Sequence, residues 1–152
     1  MWAIFLSVVA SGDTLPFTDE FDRESFQRQW FDAQASYVAV AGSQVVGMYK
    51  MGANYPGLGS HVASATYLVS RDAQGKGIGR ALVEHSLSQA RKDGFAAMQF
   101  NYVVSTNAAA VELYKKLGFS VVGTLPKAFR HRQLGLVDSY VMFRSLQGGT
   151  PS

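Results

Sequence analysis

Three glycines at alternate positions, Gly75, Gly77 and Gly79, mark the part of this chain best suited to bind phosphate. They stand between a predicted strand, residues 65–70, and a predicted helix, residues 76–92. Glycine lacks the Cβ atom that keeps a ligand away from the backbone, and it permits dihedral angles that turn consecutive N–H groups into one concavity. The helix behind the loop adds unpaired N–H groups and the positive end of its dipole. The sequence therefore predicts a phosphate-binding loop.

Two common phosphate loops fit this stretch poorly. A Walker loop needs Lys and then Ser or Thr after its last glycine, whereas Arg80 follows Gly79. A dinucleotide fingerprint read from Gly75 needs glycine where Arg80 stands, and the next predicted strand carries no carboxylate for a ribose. The pattern that fits is Q/R-x-x-G-x-G/A, which Gln74, Gly77 and Gly79 satisfy.

This pattern resembles the pyrophosphate loop of the GCN5-related N-acetyltransferases (the GNAT family), which bind acetyl-coenzyme A. A second block, residues 107–119, resembles the family's N-x-x-A-x-x-L-Y-x-x-x-G-F motif. The two blocks and the strand between them cover residues 67–119, about a third of the chain. The resemblance implies acetyl-coenzyme A as co-substrate and direct attack of an amine on its thioester within one cleft.

The resemblance also implies roles for individual residues. Leu68 and Val69 offer backbone groups to the coenzyme, and the Val69 N–H polarises the thioester carbonyl. Tyr114 contacts the coenzyme and is the family's usual general acid for the departing thiolate. Asn107 is a coenzyme contact in this family, although it is equally suited to cap its helix. The pyrophosphate is expected on the loop residues Gln74, Gly75, Lys76, Gly77, Ile78, Gly79 and Arg80.

The sequence indicates the acceptor-binding residues less clearly than the coenzyme-binding residues. Many family members use a Glu as the base on the strand before the loop, but residues 61–70 contain no carboxylate. His61 itself, or a water held by Ser64, Thr66 or Asn101, is left to remove the proton, unless the acceptor amine is weakly basic. We predict His61 and Asn101 as substrate contacts.

Further segments resemble the fungal acetyltransferases that detoxify proline analogues such as azetidine-2-carboxylate. They are residues 11–16, Trp30, residues 54–57, residues 60–62 and residues 100–101. The basic residues 130–132 lie in a predicted loop, where they are either a solvated charge run or a site for an acidic substrate group. We expect an N-acetyltransferase of a small-molecule amine or amino acid. The alternatives are a protein N-terminal or lysine acetyltransferase and a coenzyme A sensor without turnover.

Composition limits the other functions. With 152 residues, of which 47% are hydrophobic and 16% charged, the chain suits one folded domain. We expect this domain over residues 2–146 and a flexible tail over 147–152. The chain has no cysteine, its three histidines are scattered and its net charge is only +3. We therefore expect no metal site and no nucleic-acid partner. No apolar stretch has membrane-spanning length, so a cytoplasmic protein is expected; a homodimer, frequent in the family, stays open.

The elements that must position these residues alternate in an α/β pattern. The predicted helices and strands are listed here in order: helices at 1–11 and 23–32, strands at 36–41, 44–51 and 61–70, a helix at 76–92, a strand at 97–104, a helix at 107–118, and strands at 119–124 and 138–145, with a loop at 125–137. This order predicts the GNAT fold, a mixed, mostly antiparallel central sheet flanked by helices. The family opens with a strand, whereas Met1 begins inside the first helix, so we expect that edge strand to be absent, either natively or because the chain starts late.

The apolar N-terminal segment has two interpretations. It lacks the basic residues that open a signal peptide, and its apolar stretch is short. Trp2, Phe5, Leu6 and Val9 instead recur at helical spacing. We therefore expect a helix with this face on the core.

Overall fold

The computed structural model of the chain describes residues 1–11, 22–32 and 35–147. Its helices are α1 (Trp2–Ser11), α2 (Arg23–Gln27), which continues into a π-helical turn (Arg28–Asp32), α3 (Ile78–Lys92) and α4 (Ala108–Lys116). Its strands are β1 (Ala35–Ala41), β2 (Gln44–Ala53), β3 (Val62–Val69), β4 (Ala97–Val104), β5 (Ser120–His131) and β6 (Gly135–Ser145). Residues 12–16, which belong to a segment that resembles the fungal acetyltransferases, and the tail beyond residue 147 lie outside the described residues.

The six strands form one sheet in the order β1-β2-β3-β4-β6-β5. Every neighbouring pair is antiparallel except β3 and β4, which run parallel. The predicted mixed, mostly antiparallel sheet is confirmed. Within residues 1–11 no strand precedes α1, and β1 forms one edge of the sheet.

Helices cover both faces of this sheet. On one face α1, α2 and the π-helical turn bury Phe5, Val9, Phe26 and Trp30 against sheet residues that include Leu68. On the other face α3 and α4 cover a larger core. The prediction that α1 faces the core is confirmed. One residue of the predicted apolar face differs: Leu6 is 38% exposed, and Ile4 is buried instead.

The parallel strands β3 and β4 separate soon after they begin. Their pairing consists of Val62 with Ala97 and Ala63 with Met98, and it ends there. Farther along, β4 has an irregularity between Phe100 and Val103 in its pairing with β6. A gap therefore opens between the two central strands, lined by the backbone edge of β3.

The predicted loop over residues 125–137 is wrong, because most of it belongs to a long β5–β6 hairpin. Arg130 pairs with Leu136 and His131 with Gly135, which leaves residues 132–134 as the turn. The His131 Nδ1 accepts hydrogen bonds from the backbone N–H groups of Gln133 and Leu134 (3.1 and 3.2 Å) and so closes this turn. The basic residues 130–132 thus lie at a hairpin tip instead of in an acceptor loop.

Candidate active site

The glycine loop between β3 and α3 has the conformation that its sequence predicts. Gly75 and Gly77 both have left-handed backbone angles, with φ of 80° and 79°. Gly77 caps α3, and the first helical hydrogen bond joins the Ala81 N–H to the Gly77 carbonyl (3.1 Å). The N–H groups of residues 78–80 therefore have no acceptor within the helix. This arrangement presents several donors and a helix dipole at one point.

The end of β3 turns one amide into the gap. The Ser70 N–H donates to the Val46 carbonyl on β2 (2.8 Å). Because successive N–H groups of a strand point to opposite edges, the Val69 N–H points away from β2, toward the gap. The same alternation turns the Leu68 N–H toward β2. Of the two predicted backbone contacts, Val69 is the one whose amide faces the gap.

A cavity of about 540 Å³, here called the donor cavity, lies between this loop, the end of β3 and α4. The predicted coenzyme residues that line it are Leu68, Val69, Gln74, Gly75, Gly77, Ile78, Gly79, Asn107 and Tyr114. Lys76 and Arg80 are exposed and are not among its lining residues, and the Arg80 Nε instead pairs with the Glu84 Oε1 at 2.6 Å. Arg71, which we did not predict, lines the cavity from the turn after β3. No motif residue marks this position.

Asn107 and Tyr114 enter the cavity from α4. The Asn107 Oδ1 accepts a 3.4 Å hydrogen bond from the Ala110 N–H, so Asn107 caps the helix as well as facing the cavity. The Tyr114 ring packs on Phe100, with 4.6 Å between ring centroids. Burial raises the pKa of Tyr114 to about 12. Its hydroxyl makes no hydrogen bond to any described residue.

A second cavity, here called the acceptor cavity, has a volume of about 310 Å³ and lies on the other side of Tyr114. The residues that line both the donor and the acceptor cavity are Tyr67, Leu68, Asn107, Ala110 and Tyr114. The acceptor cavity continues into a polar annex of about 280 Å³, with which it shares Lys50, Ser64, Ala65, Thr66 and Asn101. The two cavities therefore adjoin along these shared residues, Tyr114 among them.

The structure separates the two predicted substrate residues. Asn101 lines both the acceptor cavity and the annex, and its Nδ2 donates to the Asn54 Oδ1 at 2.6 Å. His61 lies exposed in the turn before β3 and is not among the lining residues of either space. Of the predicted water-holding side chains, Ser64, Thr66 and Asn101 all line the acceptor cavity.

Lys50 is the acceptor-cavity residue that sequence reasoning missed. It lies on β2, and it lines both the acceptor cavity and the annex. Its Nζ lies 5.3 Å from the centroid of the Trp30 ring and 3.5 Å from the Gln29 Oε1. Burial lowers the pKa of Lys50. The only sequence signal was a single Lys within an apolar strand.

The comparisons with known proteins agree with this geometry. The model of the acetyltransferase (GNAT) family matches residues 6–119, which is most of the chain and includes both motif blocks. The chain belongs to the GNAT family. A GCN5-related N-acetyltransferase structure from Kribbella flavida superimposes with a TM-score of 0.92 and 40% identity, covering 95% of this chain and 89% of that chain. The predicted family and fold are confirmed.

Three further similarities are to other acetyltransferases. N-acetyltransferase aca1 of Schizosaccharomyces pombe is 35% identical over 65% of this chain and 48% of its own length. An L-methionine sulfoximine/L-methionine sulfone acetyltransferase of Pseudomonas paraeruginosa is 32% identical over 78% of this chain and 73% of its own length. The putative acetyltransferase yncA of Salmonella typhimurium, solved with acetyl-CoA, has a TM-score of 0.80 at 23% identity and covers 99% of this chain and 88% of that chain. The chain thus spans about half the length of the first of these curated relatives.

Two further kinds of site are absent from the described residues. No helix there is long and apolar enough to cross a bilayer. No group of three or more His, Asp or Glu side chains is gathered in the described part of the chain. The predicted cytoplasmic location and homodimer stay predictions.

Proposed function

We propose that this GNAT domain transfers the acetyl group of acetyl-coenzyme A to the amine of a small molecule or amino acid. The observation that carries the proposal is the meeting of the donor and acceptor cavities at Tyr114. A loop suited to pyrophosphate lies on the donor cavity and the acceptor cavity adjoins it, so both reactants can be held for direct attack.

The donor side supplies the groups that would stabilise negative charge on the coenzyme and on the reacting thioester. The N–H groups at the start of α3 would bind the pyrophosphate, with Arg71 as a nearby cation. The Val69 N–H, pointing into the gap, would donate to the thioester oxygen as negative charge develops on it. When the new C–N bond has formed and the C–S bond breaks, the Tyr114 hydroxyl would donate to the departing sulfur.

The acceptor side must remove a proton from the amine. An alkyl amine with a pKa near 10 is neutral in about one molecule in a thousand at pH 7, which corresponds to roughly 4 kcal/mol. Among the described residues, the acceptor cavity carries no carboxylate and no histidine. We propose that a water held by Ser64, Thr66 or Asn101 takes the proton to solvent.

The size and walls of the acceptor cavity favour a small acceptor. Its volume of about 310 Å³ is typical of a small-molecule site, and Phe5, Trp30 and Phe100 form apolar walls. A protein acceptor would favour an open groove lined with carboxylates. The similarity to an acetyltransferase of methionine sulfoximine and methionine sulfone supports an amino-acid derivative.

A thiol-release assay tests the proposal with little background, because the chain has no cysteine. The acceptor panel holds amines, amino acids, methionine sulfone, proline, azetidine-2-carboxylate, and peptides with a free N-terminus or a lysine. We expect turnover on small molecules above turnover on peptides. A preference for peptides would support a protein acetyltransferase, and acetyl-coenzyme A binding without turnover on any acceptor would support a sensor.

A further inference from the structure

Lys50 is held in one place by three neighbouring elements. Its partners in the sheet are Ser36 on β1 and Thr66 on β3, neither of which carries a charge. The Trp30 ring lies 5.3 Å from the Nζ, and the Gln29 Oε1 lies 3.5 Å from it. A cation–π contact fixes the position of a lysine without neutralising its charge, and the neutral groups around Lys50 do not neutralise it either.

Within the described part of the chain, no carboxylate pairs with this cation. The ion pairs found among the described residues are Arg28–Glu24 and Arg80–Glu84, and neither involves Lys50. Among the described residues that line the acceptor cavity and the annex, Lys50 alone is charged. A partly buried, unpaired charge is costly, and burial lowers the pKa of Lys50 accordingly. An apolar residue would pack beside Trp30 at lower cost, so the charge is suited to a ligand.

We infer that Lys50 binds the carboxylate of the acceptor, which is therefore an α-amino acid or a close analogue. This inference rests on the proposed function and narrows its acceptor class. The annex next to Lys50 also holds Asn54 and Asn101, whose amides hydrogen-bond each other (Asn101 Nδ2 to Asn54 Oδ1 at 2.6 Å, Asn54 Nδ2 to Asn101 Oδ1 at 3.3 Å), and each NH2 group has a second N–H to donate. A carboxylate accepts hydrogen bonds from both an ammonium and amide N–H groups, and charge-assisted bonds of this kind are the stronger ones.

The same charge disfavours other classes of acceptor. A polyamine or a lysine side chain would bring a second cation beside Lys50 without an anion to balance it. An uncharged alkylamine would bring no anion that could pair with the Lys50 ammonium. An amino acid removes both penalties, because its carboxylate pairs with Lys50 while its amine remains free to point toward the gap.

The test compares matched acceptors on matched variants. One acceptor is an amino acid taken from the turnover panel, and the other is its primary amide, which keeps the side chain and amine and lacks the carboxylate. The chains are the wild type, Lys50→Met, which keeps the stem without the charge, Lys50→Arg, which keeps the charge, and Lys92→Met on the exposed end of α3 as control. Because each chain meets the same two acceptors, differences in intrinsic amine reactivity cancel.

We expect the wild type to prefer the acid over the amide in kcat/KM, and Lys50→Met to reduce that preference by about 10- to 100-fold. The Lys92→Met control should match the wild type, Lys50→Arg should recover part of the preference, and the KM for acetyl-coenzyme A should stay within about twofold in all of them. An equal loss on acid and amide in Lys50→Met would show that Lys50 only packs against Trp30, and would overturn the inference.

A chain that binds acetyl-coenzyme A but does not transfer its acetyl group would give results that differ from those of a chain without the carboxylate site. If no amine is turned over, the shift in Tm caused by the amino acid and by its amide is measured on the coenzyme A-loaded chains. A shift caused by the acid alone, and lost in Lys50→Met, would keep the carboxylate site while refuting catalysis. Equal shifts, or none, would refute the site too. If Lys50→Met fails to fold, the acid-to-amide ratio of Lys50→Gln, compared with that of the wild type, provides the same decision.

Discussion

Replacing Tyr114 by Phe removes the hydroxyl of a residue that lines both cavities, without removing a contact that supports the fold. The ring stays in place, because its contacts with Phe100, Tyr67 and Phe119 are aromatic, with centroid distances of 4.6, 6.3 and 5.9 Å. The hydroxyl itself makes no hydrogen bond to the described residues, so its removal leaves no partner unpaired. We expect the free energy of unfolding to change by less than about 0.5 kcal/mol.

The size of the kinetic effect follows from the pKa of Tyr114. Burial raises the pKa of Tyr114 to about 12, whereas a thiol has a pKa near 8.5. Complete transfer of the proton to the thiolate would therefore be uphill by about 5 kcal/mol. The hydroxyl instead acts as a hydrogen-bond donor to the developing thiolate. Losing such a bond to a charged group costs about 1.5–3 kcal/mol, which lowers kcat about 10- to 150-fold.

The assay is thiol release at saturating acceptor, with the Kd for acetyl-coenzyme A measured separately by calorimetry. Tyr140→Phe serves as the matched control, because Tyr140 lies on β6 and is not among the residues that line either cavity. We expect Tyr114→Phe to lower kcat with an unchanged Kd, and Tyr140→Phe to leave both unchanged. An unaltered kcat in Tyr114→Phe would remove Tyr114 from the mechanism, and a raised Kd with unchanged kcat would make it a binding residue only.

Three further outcomes follow from the backbone and from titration. Gly77→Ala should raise the KM for acetyl-coenzyme A and lower stability by about 1–2 kcal/mol, because its φ of 79° is left-handed. Gly79→Ala, whose added Cβ would make only ordinary contacts of 3.7 Å or more, should leave thermal stability unchanged or raised; equal losses in the two variants would contradict this. Gly118→Ala should lower the urea-unfolding free energy by at least about 1 kcal/mol, since φ is 94° and the new Cβ would stand 2.9 Å from the Arg144 Nε; unchanged unfolding would refute the clash. Because the pKa of Tyr114 is raised to about 12, its hydroxyl stays protonated below that pH, so kcat at saturating acceptor should rise as the acceptor amine deprotonates and should not fall again by pH 10.5. Deprotonation of Lys50, whose pKa is lowered by burial, would raise the KM for the acceptor instead, so a fall of kcat centred near pH 10 would show an unshifted phenol.

The parts of the fold that sequence reasoning found are those whose signals are local. The long α3 shows apolar residues at helical spacing and a terminal glycine, Gly94, with a left-handed φ of 88°. The same reasoning failed on residues 125–137, where Pro126 and Gly135 suggested a loop. There β5 continues through a register shift between Leu125 and Phe129, with Lys127 at a φ of 52°. A strand that continues past such an irregularity is held by its partner β6, and the pairing cannot be read from local alternation.

The donor and acceptor halves of the site also differ in how far local sequence predicts them. The donor half uses backbone groups, and their directions are set by neighbours in sequence, as at Gly77 and the start of α3. The acceptor half uses side chains from separate elements, since Trp30, Lys50 and Asn101 come from the π-helical turn, β2 and β4. Nothing near Lys50 in the sequence marks it, because a single Lys among apolar strand residues is usually a surface position.

The donor and acceptor halves of the site both depend on the separation of β3 from β4. If the parallel pairing continued beyond Ala63 and Met98, the Val69 N–H would bond to a neighbouring strand, and neither cavity would open at Tyr114. The gap therefore exposes an amide on the donor side and, by the same displacement, brings Asn101 on β4 to the annex opposite Lys50. Substitution of Asn101 on β4 should then change acceptor selectivity in the thiol-release panel without changing the Kd for acetyl-coenzyme A, because Asn101 does not line the donor cavity and the pyrophosphate donors lie on the loop after β3.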